Sequence, residues 1–223
     1  MSEAEPSYVS ELYSAYAAGR LSPAYALMVE TQTALRADIR RDVEIAESIS
    51  GAMLENETPE PMSPRAFETA LKAIATLPAQ DPETLQAAKA ASSGLEELLE
   101  LPEPLCEKAL QACQQGGWQR LTGGVSRLDL GKQKNVQAHL YRIEPGASVP
   151  THSHKGEELT LVVAGGFTDQ FGSYGPGDIS RQTPTHTHRP VADDDGVCMA
   201  LAVSEGGLKF TGVLGLLQKI ARR

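Results

Sequence analysis

Five histidines occur in the chain, and four of them fall in two pairs, His152-x-His154 and His186-x-His188. On a strand, residues i and i+2 share a face, so each pair can aim two imidazoles at one point. The first pair sits in Gly146-(x5)-His152-x-His154-(x3)-Glu158-(x6)-Gly165. His152, His154 and Glu158 share parity, so a continuous strand through Gly156 would direct all three the same way. Two imidazole nitrogens and a carboxylate suit a divalent ion. The fourth donor has to come from elsewhere. His188, in His188-Arg189-Pro190, is the choice, and His186, of the same parity, is the fallback. Three neutral imidazoles and one carboxylate leave a net charge of about +1 on a divalent site, and four protein ligands fill the tetrahedron that structural or sensing zinc takes. Iron, manganese or nickel would keep positions open, and the same side chains would then make a dioxygenase or isomerase centre. His139, one strand earlier, reads as a half-exposed strand residue.

Such a site needs short strands and tight reversals, and the chain supplies both after Gly116-Gly117. Segments rich in β-formers cover 118–130, 136–143, 158–164, 197–203 and 208–213. Breaks fall at Pro145-Gly146, Gly165-Gly166, Gly175-Pro176-Gly177 and Gly206-Gly207, the spacing of an all-β sandwich or barrel. Residues 214–223 return to a helical pattern, with Lys219, Arg222 and Arg223 where cations suit a helix C-terminus.

The preceding half reads as helix after helix. Val9, Leu12, Tyr13, Tyr16 and Ala17 line one helical face that Gly19 can end. Ser22-Pro23 is an N-cap with proline at the first helical position, and the helix it opens runs to about Ser50 with Met28, Leu35, Ile39, Ala46 and Ile49 along one side. Ser63-Pro64 repeats the signal ahead of Phe67, Leu71 and Ile74, and Asp81-Pro82 repeats it again. Residues 55–61 (ENETPEP) form an acidic, proline-bearing linker. A further short helix follows Pro104 with Leu105, Ala109 and Ala112. The fold class is α+β with two domains: a helical bundle over 1–80, a helical linker over 81–115, and a β-barrel with a terminal helix over 116–223.

Composition narrows the function. The 223 residues are 41% hydrophobic and 22% charged, enough for a real core. No apolar run approaches the ~20 residues that cross a bilayer. The start, MSEAEPS, is acidic without an apolar stretch, so a cytoplasmic protein with no membrane partner is expected. With 29 acidic and 20 basic residues, the formal charge of -9 repels phosphate backbones, which argues against direct nucleic-acid binding but not against a basic protein partner. Cys106, Cys113 and Cys198 form no disulfide framework. Cys106 and Cys113 share a helix face and read as packing residues. Cys198 reads as core, with a metal-facing redox thiol as the alternative. Trp118 opens the first barrel strand as a packing residue.

The glycine-framed His152–Glu158 pattern resembles the first motif of the cupins, and Gly177-Asp178 followed by His188 approximates the second. More specifically, the chain resembles the ChrR-type anti-sigma factors over 8–60 and 116–220. The residues that carry it are 12–35 (LYSAYAAGRLSPAYALMVETQTAL), Gly123-Gly124-Val125, 152–161, 171–178 with Gly177-Asp178-Ile179, and His188-x-Pro190-Val191-Ala192. The resemblance implies a cupin jelly roll in which His152, His154, Glu158 and His188 hold zinc. It also implies a helical domain that grips an extracytoplasmic-function sigma factor, and a signal of singlet oxygen or organic peroxide. A homodimer is left open. The family's helical domain carries an H-x3-C-x2-C zinc motif, at positions that here are Gln32, Arg36 and Ile39. Arginine and isoleucine cannot replace thiolates, so this helical domain is expected to be metal-free and packed by Leu35 and Ile39. A regulator is therefore expected rather than an enzyme, the alternative being a metal-dependent cupin enzyme with a helical scaffold.

Overall fold

The computed structural model describes residues 8–76, 96–206 and 208–210. The expected helix start at Asp81-Pro82 and the terminal helix over 214–223 lie outside these residues. Among the described residues six helices come first: α1 (Tyr8–Ala17), α2 (Pro23–Leu35), α3 (Ala37–Glu55), α4 (Ala66–Ala75), α5 (Glu96–Leu99) and α6 (Leu105–Gln115). Twelve strands follow: β1 (Gln119–Thr122), β2 (Val125–Gln133), β3 (Val136–Ile143), β4 (His152–His154), β5 (Glu158–Ala164), β6 (Phe167–Thr168), β7 (Ser173–Tyr174), β8 (Ile179–Gln182), β9 (Thr187–His188), β10 (Val191–Ala192), β11 (Cys198–Glu205) and β12 (Leu208–Phe210).

The strands form an antiparallel six-stranded sheet, β1-β2-β3-β11-β5-β8, and two three-stranded sheets, β10-β6-β7 and β12-β4-β9. Strand β11 shows how the large sheet is used. Met199, Leu201 and Val203 join one core with Leu128, Leu140, Leu159 and Leu161, and the helices supply Met28, Val29, Leu105, Ala109 and Leu110 to it. Alternate residues Cys198 and Ala200 join a second core with Val125, Ile143, Val162, Phe167 and Ala192 inside the barrel. The sheet is therefore apolar on both faces, one roofed by helices and one lining the barrel. Trp118 packs at the margin of the first core, as its position before β1 suggests.

Two elements depart from expectation. The helix expected from Ser22 to about Ser50 is two helices, because Arg36 is extended (φ −124°, ψ 111°) and ends α2 while opening α3. No glycine or proline marks the break; partners near and far in sequence hold it. The Arg36 guanidinium donates to Asp38 (2.9 and 2.6 Å) and to Asp178 (3.3 Å). Arg40 then donates to the carbonyl of Thr33 and so closes the end of α2.

The second departure lies in the histidine motif. His152, His154 and Glu158 do not share a strand, because β4 ends at His154 and β5 begins at Glu158 in another sheet. Gly156 sits in the bend between them, where a Cβ would stand 2.7 Å from the carbonyl oxygen of Glu205.

Gly165 makes a tight reversal between β5 and β6. It adopts φ +64°, and a Cβ there would lie 2.4 Å from the backbone oxygen of Val197. Backbone cannot yield as a side-chain tip can, so Gly165→Ala combines left-handed strain with overpacking. It is expected to cost roughly 3 kcal/mol, measured by urea unfolding; a loss below about 1 kcal/mol would show that the turn relaxes freely.

Candidate metal centre

Three elements bring four donors together. β4 carries His152 and His154, β5 opens on Glu158, and β9 ends on His188, with His152 and His188 directly opposed in the ladder. One ligand atom from each of the four residues lies within 4.8 Å of the others, and all four residues are buried. The bend at Gly156 achieves what one straight strand could not, because donors on separate walls surround a point rather than face it from one side.

The hydrogen bonds fix which nitrogens are bare. His152 Nδ1 lies 2.8 Å from the carbonyl oxygen of Pro150, which can only accept, so Nδ1 carries the proton. His188 Nδ1 lies 2.8 Å from Asp169 Oδ2 and donates in the same way. In neutral rings both Nε2 atoms are then lone pairs, yet they stand 3.1 Å apart, and His154 Nε2 is also 3.1 Å from His188 Nε2. Nitrogens bound at ~2.1 Å to one ion stand ~3.0 Å apart at right angles and ~3.4 Å apart at tetrahedral angles. The observed spacing falls between these limits.

Electrostatics point the same way. Burial, followed by the neighbouring His188, pulls His152 down to about 4. Burial and the other imidazoles pull His154 down to about 3, and burial also lowers His188. Burial pushes Glu158 up to about 7, against the donation of Thr160 Oγ1 to its Oε1 at 3.2 Å. The rings are thus held in the neutral form that ligates, and the carboxylate lacks a positive partner. His154 Nδ1 is buried with no hydrogen bond, 3.4 Å from Glu158 Oε2. Imidazole nitrogens that face one another and a buried acid with no positive partner are what a divalent cation would satisfy.

Asp169 is the residue that spacing did not reveal. It lies in the turn between β6 and β7, its side chain is fully buried, and its Oδ1 accepts the backbone N–H groups of Phe171 (2.8 Å) and Gly172 (3.2 Å). The turn holds the carboxylate, and the carboxylate holds His188. Such a partner orients an imidazole and raises its basicity. Asp169→Asn keeps the shape but not the charge, and is expected to weaken metal affinity ~10- to 100-fold in competition with a chelator of known affinity. An unchanged constant would remove Asp169 from the centre.

The remaining candidates fall outside the cluster. The fallback ligand His186 stacks on Phe171 (centroids 4.6 Å) and pairs through Nδ1 with Gln182 Oε1 at 3.1 Å, so it braces the Asp169 turn instead of joining the donors. His139 is buried rather than half-exposed, edge-on to Tyr141 at 6.1 Å, and burial lowers it to about 4. Cys198 packs in the inner core, its thiol pushed up to about 12 by burial, which rules out a ready thiolate. Beside the donors is a chamber of about 40 Å³, walled chiefly by Tyr141, Ile143, Val149, Phe167, Ala200 and Ala202.

Comparison with known proteins decides the family. Residues 107–206 match the model of the ChrR cupin-like domain. The chain is 31% identical to the anti-sigma-E factor ChrR of Cereibacter sphaeroides over 203 residues, 91% of each protein. The chain belongs to the ChrR-type anti-sigma factor family. Its fold is similar to that of ChrR: the crystal structure of Rhodobacter sphaeroides SigE in complex with the anti-sigma ChrR superimposes with a TM-score of 0.66 at 30% identity, over 88% of this chain and 96% of that one. The cupin half and the helical half expected from the sequence are both those of ChrR. At the three positions expected to lack a metal motif, Gln32 is a buried hydrogen-bonding amide, Arg36 makes ion pairs, and Ile39 packs on the core.

Proposed function

We propose that this chain is a cytoplasmic anti-sigma factor whose helical part, within 1–80, holds an extracytoplasmic-function sigma factor. In this reading 81–115 connects it to a barrel, 116–223, that binds a divalent metal at His152, His154, Glu158 and His188 and detects oxidative stress there. The observation that carries the partner assignment is a pair of exposed apolar faces on described helices. Helix α4 buries no residue, and Phe67, Leu71 and Ile74, at i, i+4 and i+7, are 70%, 50% and 62% exposed. On α3, Val43 faces the core while Ile45, Ile49, Met53 and Leu54 stand in solvent. Exposed apolar stripes on two successive helices support a recognition surface. The net charge of -9 favours the basic, DNA-contacting surfaces of a sigma factor. No described helix is long and apolar enough to cross a membrane.

Zinc suits a buried set of three imidazoles and one carboxylate with four protein donors. A bound ion would tie β4, β5 and β9 through their side chains, supplying a cross-link that oxidation of a ligand can cut. The enzyme alternative draws little from the chamber beside the donors, which has room for about a water molecule or two and, beyond the donors, only the Tyr141 phenol, raised by burial, as an ionisable group.

The test is reconstitution with sigma factors of the same genome, together with elemental analysis. Expected are a complex with a dissociation constant below about 1 μM and one tightly held zinc per chain. Failure to bind any extracytoplasmic-function sigma factor at micromolar concentration would end the anti-sigma assignment. Turnover of a diketone with stoichiometric iron would replace it with the enzyme.

A further inference from the structure

Gln32 is a buried amide on α2 with both ends in use. Its Oε1 accepts the Tyr13 hydroxyl of α1 at 2.8 Å, and its Nε2 donates to the carbonyl of Gly177, just before β8, at 2.9 Å. One turn further along, the Arg36 stem lies across Gly177 and its Nη1 reaches Asp178 at 3.3 Å. Gly177 has φ +88°, and a Cβ there would stand 2.4 Å from Arg36 Cγ, so the absence of a side chain is what lets the helix settle on this turn.

The turn is in its own right part of the barrel wall. Gly177 N–H donates to the carbonyl of Val162 at 2.8 Å, and Val162 N–H donates to the carbonyl of Asp178 at 3.0 Å. Val162 lies on β5, the strand that opens with Glu158. A hydrogen-bonded line therefore runs from Tyr13 through Gln32 and Gly177 to the strand that carries one of the four clustered donors. Met28 and Val29 also press α2 against the sheet, but apolar contact is non-directional, whereas a buried amide with fixed partners sets one position.

We propose that Gln32, backed by Tyr13 and Arg36, is a latch that fixes α1 and α2 on the barrel and passes the metal state of β5 to them. The second half of this proposal rests on the metal-binding reading above. The latch gives the helices a direct mechanical reason to respond when the barrel changes, without a moving linker.

Hydrogen exchange on the full chain, zinc-loaded and chelated, tests it. Gln32→Leu keeps the volume but removes donor and acceptor, and is expected to speed exchange of the α2 amides at least ~10-fold with zinc bound. Arg36→Ala, at a half-exposed side chain, should act in the same direction with a smaller effect, and serves if Gln32→Leu does not fold. In the unmodified protein, chelation should speed exchange in both β5 and α2. In Gln32→Leu only β5 should respond. An α2 that exchanges equally in the variant and the parent, or that keeps its full response to chelation in the variant, overturns the latch. A β5 that ignores chelation overturns the metal reading instead, and the latch then stands or falls on the variant's α2 exchange alone.

Discussion

Stripping the metal with a strong chelator is expected to lower the thermal midpoint by roughly 10 °C at neutral pH. A ligand present at about a thousand times its dissociation constant stabilises by ~4 kcal/mol, and in a protein of this size each kcal/mol moves the midpoint by ~2–4 °C. The loss has an identifiable source. Without a cation, the Nε2 lone pairs of His152 and His188 face each other at 3.1 Å, His154 Nε2 crowds His188 Nε2 at the same distance, and Glu158 is buried beside no positive charge. His154→Ala should abolish the difference between loaded and chelated samples. Acid should do part of the chelator's work. Burial raises Glu158 to about 7, so below that pH the metal must displace a proton, and affinity should fall about tenfold per pH unit from this group alone. Differential scanning calorimetry with metal analysis at pH 7.5 and pH 5.5 checks both. A midpoint that stays put while the ion is demonstrably lost would mean that the donors do not hold the barrel together.

The second large effect concerns the partner surface. Phe67→Asp on α4 and Ile49→Asp on α3 are each expected to weaken sigma binding at least ~100-fold, the ~3 kcal/mol of a central aromatic or aliphatic anchor. Both side chains are more than half exposed, so the free protein should keep its stability within about 0.5 kcal/mol. Titration by isothermal calorimetry beside urea unfolding separates the two quantities. Retained affinity in both variants would move the sigma-binding surface off these helices. Loss of stability to match the loss of affinity would mean that the faces are covered in the free molecule.

The four donors were legible because histidine is scarce in this chain and its pairs fall at strand spacing between glycines. β3 and β5 appeared with their observed limits, 136–143 and 158–164, since their β-formers run unbroken between turn residues. What escaped was set by distant contacts. Asp169 is one carboxylate in a surface-like turn sequence, and only the return of β9 beside it gives it a histidine to hold. The break at Arg36 carries no glycine or proline, and one of the carboxylates that hold its side chain, Asp178, lies 142 residues away. β6, β7, β9 and β10 are two residues each, too short for any periodicity to register. Gln32 looked like a lost ligand and proves to be a bridge, since an amide can donate and accept at once.

Helix α4 spans ten residues and buries none of them. In water a segment that short recovers too few backbone bonds to offset its nucleation, so its coil form lies close in free energy. Whatever clasps its Phe67 stripe must also supply the ordering, which trims the grip below what the contact area alone would give. A hold of that kind lets go quickly, which suits the proposed role of releasing a captive on cue.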